Sequence, residues 1–485
     1  MKKAYINILL LIVASLFVTV FSVSTSPLYE FRDCLDQDLF LLIGKYWAKG
    51  CVPYVELWDQ KGPLIFLIDA VGFYLCGDRV GVYLIQIAFM WANLILLYKI
   101  FRSNKVSVST TAVYVCVFLV AYLLLYNSGN MLEEYILPLL ILSIYSQYKW
   151  VQGYITGNKT THRPLYSILY GFTFSFALFT RLTNALGLCG GVGFIAVLLV
   201  FSKSWRNLLG NIGGFILGFA VLALPLCIYF YQNDALYEMW YGTFIFNTEY
   251  AKTSVVSGGH SMLDIAFQVC CIFTLLLSAW MIAVSERKLM GIFLLVVSLL
   301  PFLWIWNSYG YGHYSIICLP LFVLFVLEIR KMCEKISTNY KRVYKGVLYV
   351  FFMAIISITS YCQYNNGQWR YEDCREDVAF FSNILKDIPP SERNSFVSYN
   401  IRAFMYLYND IKPCYPYFSI QDWYCINGQS MESRINTVFS SCKAKWVLAK
   451  ENLIRESVQN VLDTRYCIHS KNEYKGMVYV LYKRI

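Results

Sequence analysis

The residues best equipped for chemistry stand close together near the start of the chain. Asp36-Gln37-Asp38-Leu39-Phe40 is followed by Gly50-Cys51-Val52-Pro53-Tyr54 and then by Trp58-Asp59-Gln60-Lys61-Gly62-Pro63, directly after an apolar run at 5–23. A charged side chain at the centre of a bilayer costs roughly 3 kcal/mol or more, so an apolar chain that gathers acids and a lysine in one loop is using them there. A carboxylate in such a loop can accept a proton, and a lysine can hold an anion. Three further segments carry groups of the same kind: Asn130-x-x-Glu133-Glu134-Tyr135, Arg181-Leu182-Thr183-Asn184 and Gly312-His313-Tyr314.

The elements that must position these groups are membrane helices. Of 485 residues, 58% are hydrophobic and 15% charged, and the mean hydropathy is +0.49, far above soluble globular proteins. Apolar runs at 5–23, 82–101, 107–126, 132–148, 165–180, 185–202, 208–231, 262–284, 289–306, 314–329 and 346–362 give about eleven spans by the length rule. The fold class expected is an all-α polytopic membrane protein.

The net charge of +11 is not a nucleic-acid signature, because the basic residues recur in every second loop. Lys2 and Lys3, Lys99 to Lys105, Lys149 to Arg163, Lys203 and Arg206, Arg287 and Lys288, and Arg330 to Lys345 alternate with loops at 127–131 and 307–312 that hold no Lys or Arg. Basic loops stay cytoplasmic, so the N-terminus is expected inside and the C-terminal tail outside. Ser22-Val23-Ser24 offers small residues for a signal-peptide cleavage, yet an uncleaved first helix keeps every later loop in line with the charge rule.

Within the first external loop, 63–76 is apolar but too short to cross and reads as an interfacial helix. Residues 39–49 read as another, with Leu39, Phe40, Ile43, Tyr46 and Trp47 on one stripe, Asp38, Lys45 and Lys49 facing away, and Gly50 ending it. After 362 the composition turns polar. A membrane domain at 1–362 is thus expected to precede a small extracytoplasmic α/β domain at 363–485, with a helix at 374–387 and strands at 395–399, 445–450 and 477–483. Cys34, Cys51, Cys374, Cys414, Cys425, Cys442 and Cys467 fall on the outer side, where disulfides can form. Four scattered histidines and the lack of a Cys-x-x-Cys pair argue against zinc.

The order Asp36-x-x-x-Phe40, Gly44-Lys45, Gly50, Val52-Pro53-Tyr54, Asp59-x-Lys61-Gly62-Pro63, Asn130-x-x-Glu133-Glu134-Tyr135, Arg181-Leu182-Thr183-Asn184 and Gly312-His313-Tyr314 ahead of Pro320 resembles the membrane-embedded GT-C glycosyltransferases. The likeness is greatest to the bacterial branch that holds the galacturonic acid and aminoarabinose transferases of lipopolysaccharide and protein mannosyltransferase-like enzymes. It spans about the first 330 residues. Glu56 stands where relatives often carry Asp, and Leu182 where a proline usually follows the arginine. The resemblance implies an enzyme of the bacterial inner membrane that serves cell-envelope biogenesis. Such an enzyme passes a sugar from a polyprenyl-phosphate donor to a hydroxyl of a lipid, glycan or protein acceptor, with membrane lipids as further partners and no nucleic acid.

On that reading Asp36 is the base that takes the acceptor proton, against the simpler role of capping a helix from Gln37. Lys61 and Arg181 are cations for the departing phosphate, although Arg181 also suits a helix C-terminus. Glu133 or Glu134 orients the acceptor or holds a divalent cation, the only cofactor considered; the competing role is a cap with Asn130. Asp59, Tyr54 and His313 join the donor and substrate contacts. Trp240, Tyr241, Phe244, Phe246 and Tyr250 offer faces for stacking sugar rings, with a belt at the headgroups as the favoured reading. A flippase or transporter would place ionisable groups and broken helices at mid-membrane depth, and a polysaccharide polymerase or ligase would carry a large mid-chain external loop. The transporter pattern is not present, and here the first loop carries the chemistry; both classes stay as the alternative readings.

Overall fold

The computed structural model describes residues 2–157, 160–253, 262–284, 287–307, 311–334 and 373–485. Helices dominate: α1 (Lys2–Phe21), α2 (Asp36–Ala48), α3 (Pro63–Cys76), α4 (Val80–Ser103), α5 (Val108–Leu125), α6 (Leu132–Ile155), α7 (Pro164–Leu178), α8 (Leu186–Phe201), α9 (Trp205–Gln232), α10 (Leu236–Trp240), α11 (Asn247–Thr253), α12 (Met262–Ala283), α13 (Lys288–Trp306) and α14 (Leu319–Glu334). Among the described residues seven helical stretches are long and apolar enough to cross a membrane. Each expected span that falls on described residues is a helix. The span expected at 346–362 and the boundary expected at 362 lie outside them.

The chain divides into two compact units. The first holds residues 1–22, 86–226 and the described part of 256–369. Here α13 packs on α8, and α6 runs through the centre of the bundle with Leu132, Ile136, Leu137 and Tyr148 fully buried. Glu328 of α14 is itself fully buried and neutralised by Arg287 and Lys331, with Tyr148 donating to the same carboxylate. A buried carboxylate is tolerable only with such partners.

The second unit joins residues 23–85, 227–255 and 370–485. Its centre is a four-stranded sheet in the order β1-β2-β4-β3, made of β1 (Phe396–Tyr399), β2 (Trp446–Lys450), β3 (Tyr466–Tyr474) and β4 (Met477–Arg484). β1 and β2 are parallel, with Phe396 opposite Trp446; β4 is antiparallel to both neighbours. Helices α15 (Arg375–Lys386), α16 (Phe404–Tyr408), α17 (Gln421–Asn427), α18 (Met431–Ser440) and α19 (Glu456–Arg465) complete the unit. Sequence reading missed β3 because it is a polar edge strand. Its signal lies in the turn to β4, where Lys475 (φ 50) and Gly476 (φ 71) are both left-handed, the geometry of a tight hairpin.

Helix α3 starts and stops where the sequence placed it; α2 begins at Asp36, three residues before the expected 39, and Gly50 (φ 92) follows its end. The outward polar face expected for α2 holds only for Lys49, whose side chain is 52% exposed. Leu41, Leu42 and Asp38 are buried together with Leu39, Phe40 and Ile43, and the Lys45 side chain is only 15% exposed. The helix is therefore covered around most of its girth and has no free polar face. Gly44 makes this possible, since a Cβ there would lie 2.3 Å from the Asp69 Cβ; α2 and α3 touch backbone to backbone.

Candidate functional site

The eight candidate residues fall into two groups, one in each unit. In the second unit the loop between α2 and α3 is folded on itself: Tyr54 N donates to Leu57 O at 2.7 Å, with Tyr54 held at φ 70. The Tyr54 hydroxyl donates to Lys61 O at 2.7 Å and lies 3.4 Å from Thr243 Oγ1. That bond fixes the Lys61 backbone, and Tyr54 is 2% exposed, so its phenol holds the lysine in place. Burial pushes the phenol well above its ordinary titration range, which keeps it a donor.

Lys61 Nζ then reaches Asp36 Oδ2 at 3.4 Å, with the lysine side chain 11% and the aspartate 49% exposed. The ammonium also sits 5.5 Å from the Phe40 ring centroid, a further constraint on a flexible stem. Asp36 is the first residue of α2, not its cap; Leu35 (φ 52) occupies the cap position. The neighbouring acids are otherwise engaged. Asp38 is fully buried and accepts from Cys34 N at 2.7 Å, and burial pushes its carboxyl well up. Asp33 pairs with Arg402 at 2.5 Å.

Asp59, fully buried, accepts from Lys61 N at 3.3 Å and from the Tyr424 hydroxyl at 3.2 Å. Burial raises its carboxyl above the usual range, with Lys61 opposing and Asp36 adding to the rise. Tyr424 belongs to α17 in the tail, and sequence reasoning gave it no role. Trp58 beside it is fully buried, with ring centroids 4.9 Å from Tyr424, 5.3 Å from Phe246 and 5.6 Å from Tyr417. Phe246 and Tyr241 (0% and 3% exposed) are thus core residues of this unit and not part of a headgroup belt. Glu56, on the same loop, pairs with Lys412 of the tail and accepts from Val52 N at 2.9 Å.

In the first unit Glu133 and Glu134 open α6, and both are buried. They have different partners. Glu134 Oε1 accepts from Met131 N at 3.0 Å, closing the helix N-terminus, while Oε2 accepts from Gln86 Nε2 at 3.0 Å and the Tyr126 hydroxyl at 3.2 Å. The reciprocal cap expected between Asn130 and Glu133 is therefore made one residue later; Asn130 Oδ1 instead accepts from the Tyr135 hydroxyl at 2.6 Å. Gln86 and Tyr126 were not legible as partners, because nothing in their spacing points to Glu134.

Glu133 Oε1 is 2.7 Å from Arg181 Nη1. Its other oxygen is buried without a hydrogen-bond partner among the described residues. Arg181 lies beyond the end of α7, as the residue that opens the short 3-10 turn Leu182–Ala185, and its guanidinium stacks 4.0 Å from the Tyr314 ring centroid. His313 is 7% exposed and meets Tyr314 edge-on at 4.5 Å. Carboxylate, guanidinium, phenol ring and imidazole thus form one chain of contacts. Among the described residues no three His, Cys, Asp or Glu side chains converge as metal ligands.

No known family profile matches the chain, and no curated protein matches it. Its fold is similar to that in the crystal structure of ArnT from Cupriavidus metallidurans bound to undecaprenyl phosphate, with a TM-score of 0.53 and 12% identity over 99% of this chain and 98% of that one. The shared architecture is a polytopic helical fold with a small C-terminal sheet domain.

Proposed function

We propose that the chain is a glycosyltransferase that moves a sugar from a polyprenyl-phosphate donor to a hydroxyl of a cell-envelope acceptor at the external membrane face. The observation that carries this reading is the half-exposed Asp36 set 3.4 Å from the nearly buried Lys61. The similarity of the whole fold to a protein solved with undecaprenyl phosphate supports it.

In this reaction the acceptor oxygen attacks the anomeric carbon, the bond from that carbon to the phosphate oxygen breaks, and the lipid phosphate leaves with the electron pair. Asp36 takes the acceptor's proton. Charge grows on the phosphate as the bond breaks, so a cation already held in place stabilises the transition state more than the ground state. Lys61 fits that role because Tyr54 fixes its backbone and few rotamers are left to its side chain. When phosphate engages the ammonium, Asp36 loses its ion-pair partner and becomes the freer proton acceptor. Arg181, held by Glu133 and stacked on Tyr314, is suited to an anion in the same way, and the resemblance assigns His313 and Glu133 to sugar and acceptor. Glu134, with both oxygens engaged, acts in positioning the start of α6.

Purified protein in vesicles, supplied with either a polyprenyl-phosphate sugar or the corresponding nucleotide sugar and a mixture of envelope lipids, tests the proposal by mass spectrometry of the products. Transfer is expected only from the lipid-linked donor. Lys61→Ala is expected to lower turnover and raise KM for the donor together. Transfer from the nucleotide sugar without a lipid carrier would overturn the reading.

A further inference from the structure

Away from these groups, α7, α8 and α9 enclose a cavity of about 230 Å³ walled by Ala196, Leu199, Leu208, Ile212, Phe215 and Ile216, with Ser167 and Asn211 also on its lining. It lies in the half of the three helices nearest the turn at 202–204, where α8 passes into α9 and α7 begins. Ile212 and Ile216 are 45% and 60% exposed, so the cavity opens outward from the bundle. Water would find few partners on such walls, and an empty space would forfeit their dispersion contacts.

The helices cannot close over it. α7 and α9 already touch along their backbones: a Cβ on Gly218 would stand 1.9 Å from Ile168 O, and one on Gly171 1.9 Å from Phe215 O. A polar knot locks the same end. His162 N donates to Asn207 Oδ1 and Asn207 Nδ2 to His162 O, both at 2.8 Å; Asn211 Nδ2 donates to His162 O at 3.0 Å, and Ser167 Oγ to Asn211 Oδ1 at 2.7 Å.

This knot ties Arg163, the next residue, to the turn of α9 that carries Arg206. Lys203 stands one helical turn beyond Leu199 of the cavity wall, and all three cations are exposed. The stretch from Tyr135 to Asn233 contains six Lys and Arg and no Asp or Glu, so no acid of these helices offsets them.

We propose that the cavity takes one acyl chain of an anionic phospholipid, whose phosphate is held at its rim by Arg163, Lys203 and Arg206. A basic rim over an apolar crevice between membrane helices matches the two halves of such a lipid. The assignment rests on the membrane-spanning fold and not on sugar transfer, so either can fail without the other.

The test is thermal unfolding of the purified full-length protein in a neutral detergent, titrated with phosphatidylglycerol, with phosphatidylcholine or with inorganic phosphate. Phosphatidylglycerol is expected to raise Tm by several degrees, less so at high salt, while the other two leave it unchanged. Arg163→Gln/Arg206→Gln and Ala196→Trp, which fills the cavity, are each expected to abolish the rise. Equal stabilisation by phosphatidylcholine, a match by phosphate alone, or a rise that survives both variants would overturn the proposal. Should the variants fail to fold, native mass spectrometry of the unmodified protein decides. One phosphatidylglycerol retained over phosphatidylcholine supports the site; equal retention, or displacement by polyprenyl phosphate, overturns it.

Discussion

Asp36 and Lys61 lie 25 positions apart by numbering, and both stood out as candidates because a polytopic chain has few places for charge. What decides between Asp33, Asp36 and Asp38 is not legible. Asp38 sits at a position a helical wheel assigns to solvent, yet it is buried and bonded to Cys34 N, while Asp33 is held by Arg402. Only the folded unit leaves Asp36 half open beside a cation. Asp36→Asn keeps the volume and removes the proton acceptor. Transfer by this variant is expected to fall by about a hundredfold or more, as for loss of a general base, with the protein still folded and inserted. Measured transfer within a few-fold of the unmodified protein would move the role to another acid. Partners such as Tyr424, which meets Asp59 across 365 positions, are set by tertiary packing, and no local pattern of residues could have announced them.

Among elements, periodicity gave the long apolar helices and the two short ones of the first loop, because apolar length and a terminal glycine are local properties. It failed for β3, whose polar edge lacks alternation, and for the faces of α2. The contact of α2 with α3 makes a sharp test. Gly44→Val would force its side chain into the Asp69 Cβ and the Ala70 backbone, at 2.3 and 2.9 Å already for a Cβ. Overpacking against backbone costs about 1–3 kcal/mol, so a lowered midpoint in thermal unfolding is expected, together with impaired transfer because Asp36 opens α2. The start of α6 gives a second test. Glu133 is fully buried and its side chain meets a guanidinium that is 16% exposed. Removing one partner of a buried pair strands the other charge, at a cost of roughly 3–5 kcal/mol. Arg181→Ala should therefore destabilise more than Glu133→Gln, because it strands a fully buried carboxylate, whereas the guanidinium left by Glu133→Gln is partly exposed and keeps its stack on Tyr314. The reverse order in unfolding experiments would show that the arginine is not the glutamate's charge partner.

For the molecule as a whole, orientation follows from where the cations lie and not from the packing. Lys2, Lys99 to Lys105, Lys149 to Arg163, Lys203 to Arg206, Arg287 and Lys288, and Arg330 to Lys345 recur in every second loop, whereas the loops at 127–131 and 307–312 carry no Lys or Arg, and short basic loops are retained in the cytoplasm. The alternation is expected to place the loop at 127–131, which leads into Glu133 and Glu134, on the external side. The tail, whose Tyr424 and Lys412 hold Asp59 and Glu56 of the first loop, must share a compartment with that loop, since both belong to one compact unit. A single orientation therefore sets the face on which the proposed pair Asp36 and Lys61 lies, and with it the kind of donor expected there. A tag after Ile485 is expected to be cut by protease added to intact cells from which the outer barrier has been removed, and a tag beside Lys335 to be protected until the membrane is opened. Protection of the C-terminal tag with cleavage at Lys335 would invert the topology. It would also put Asp36 on the side where nucleotide sugars are made, removing the reason for a lipid-linked donor.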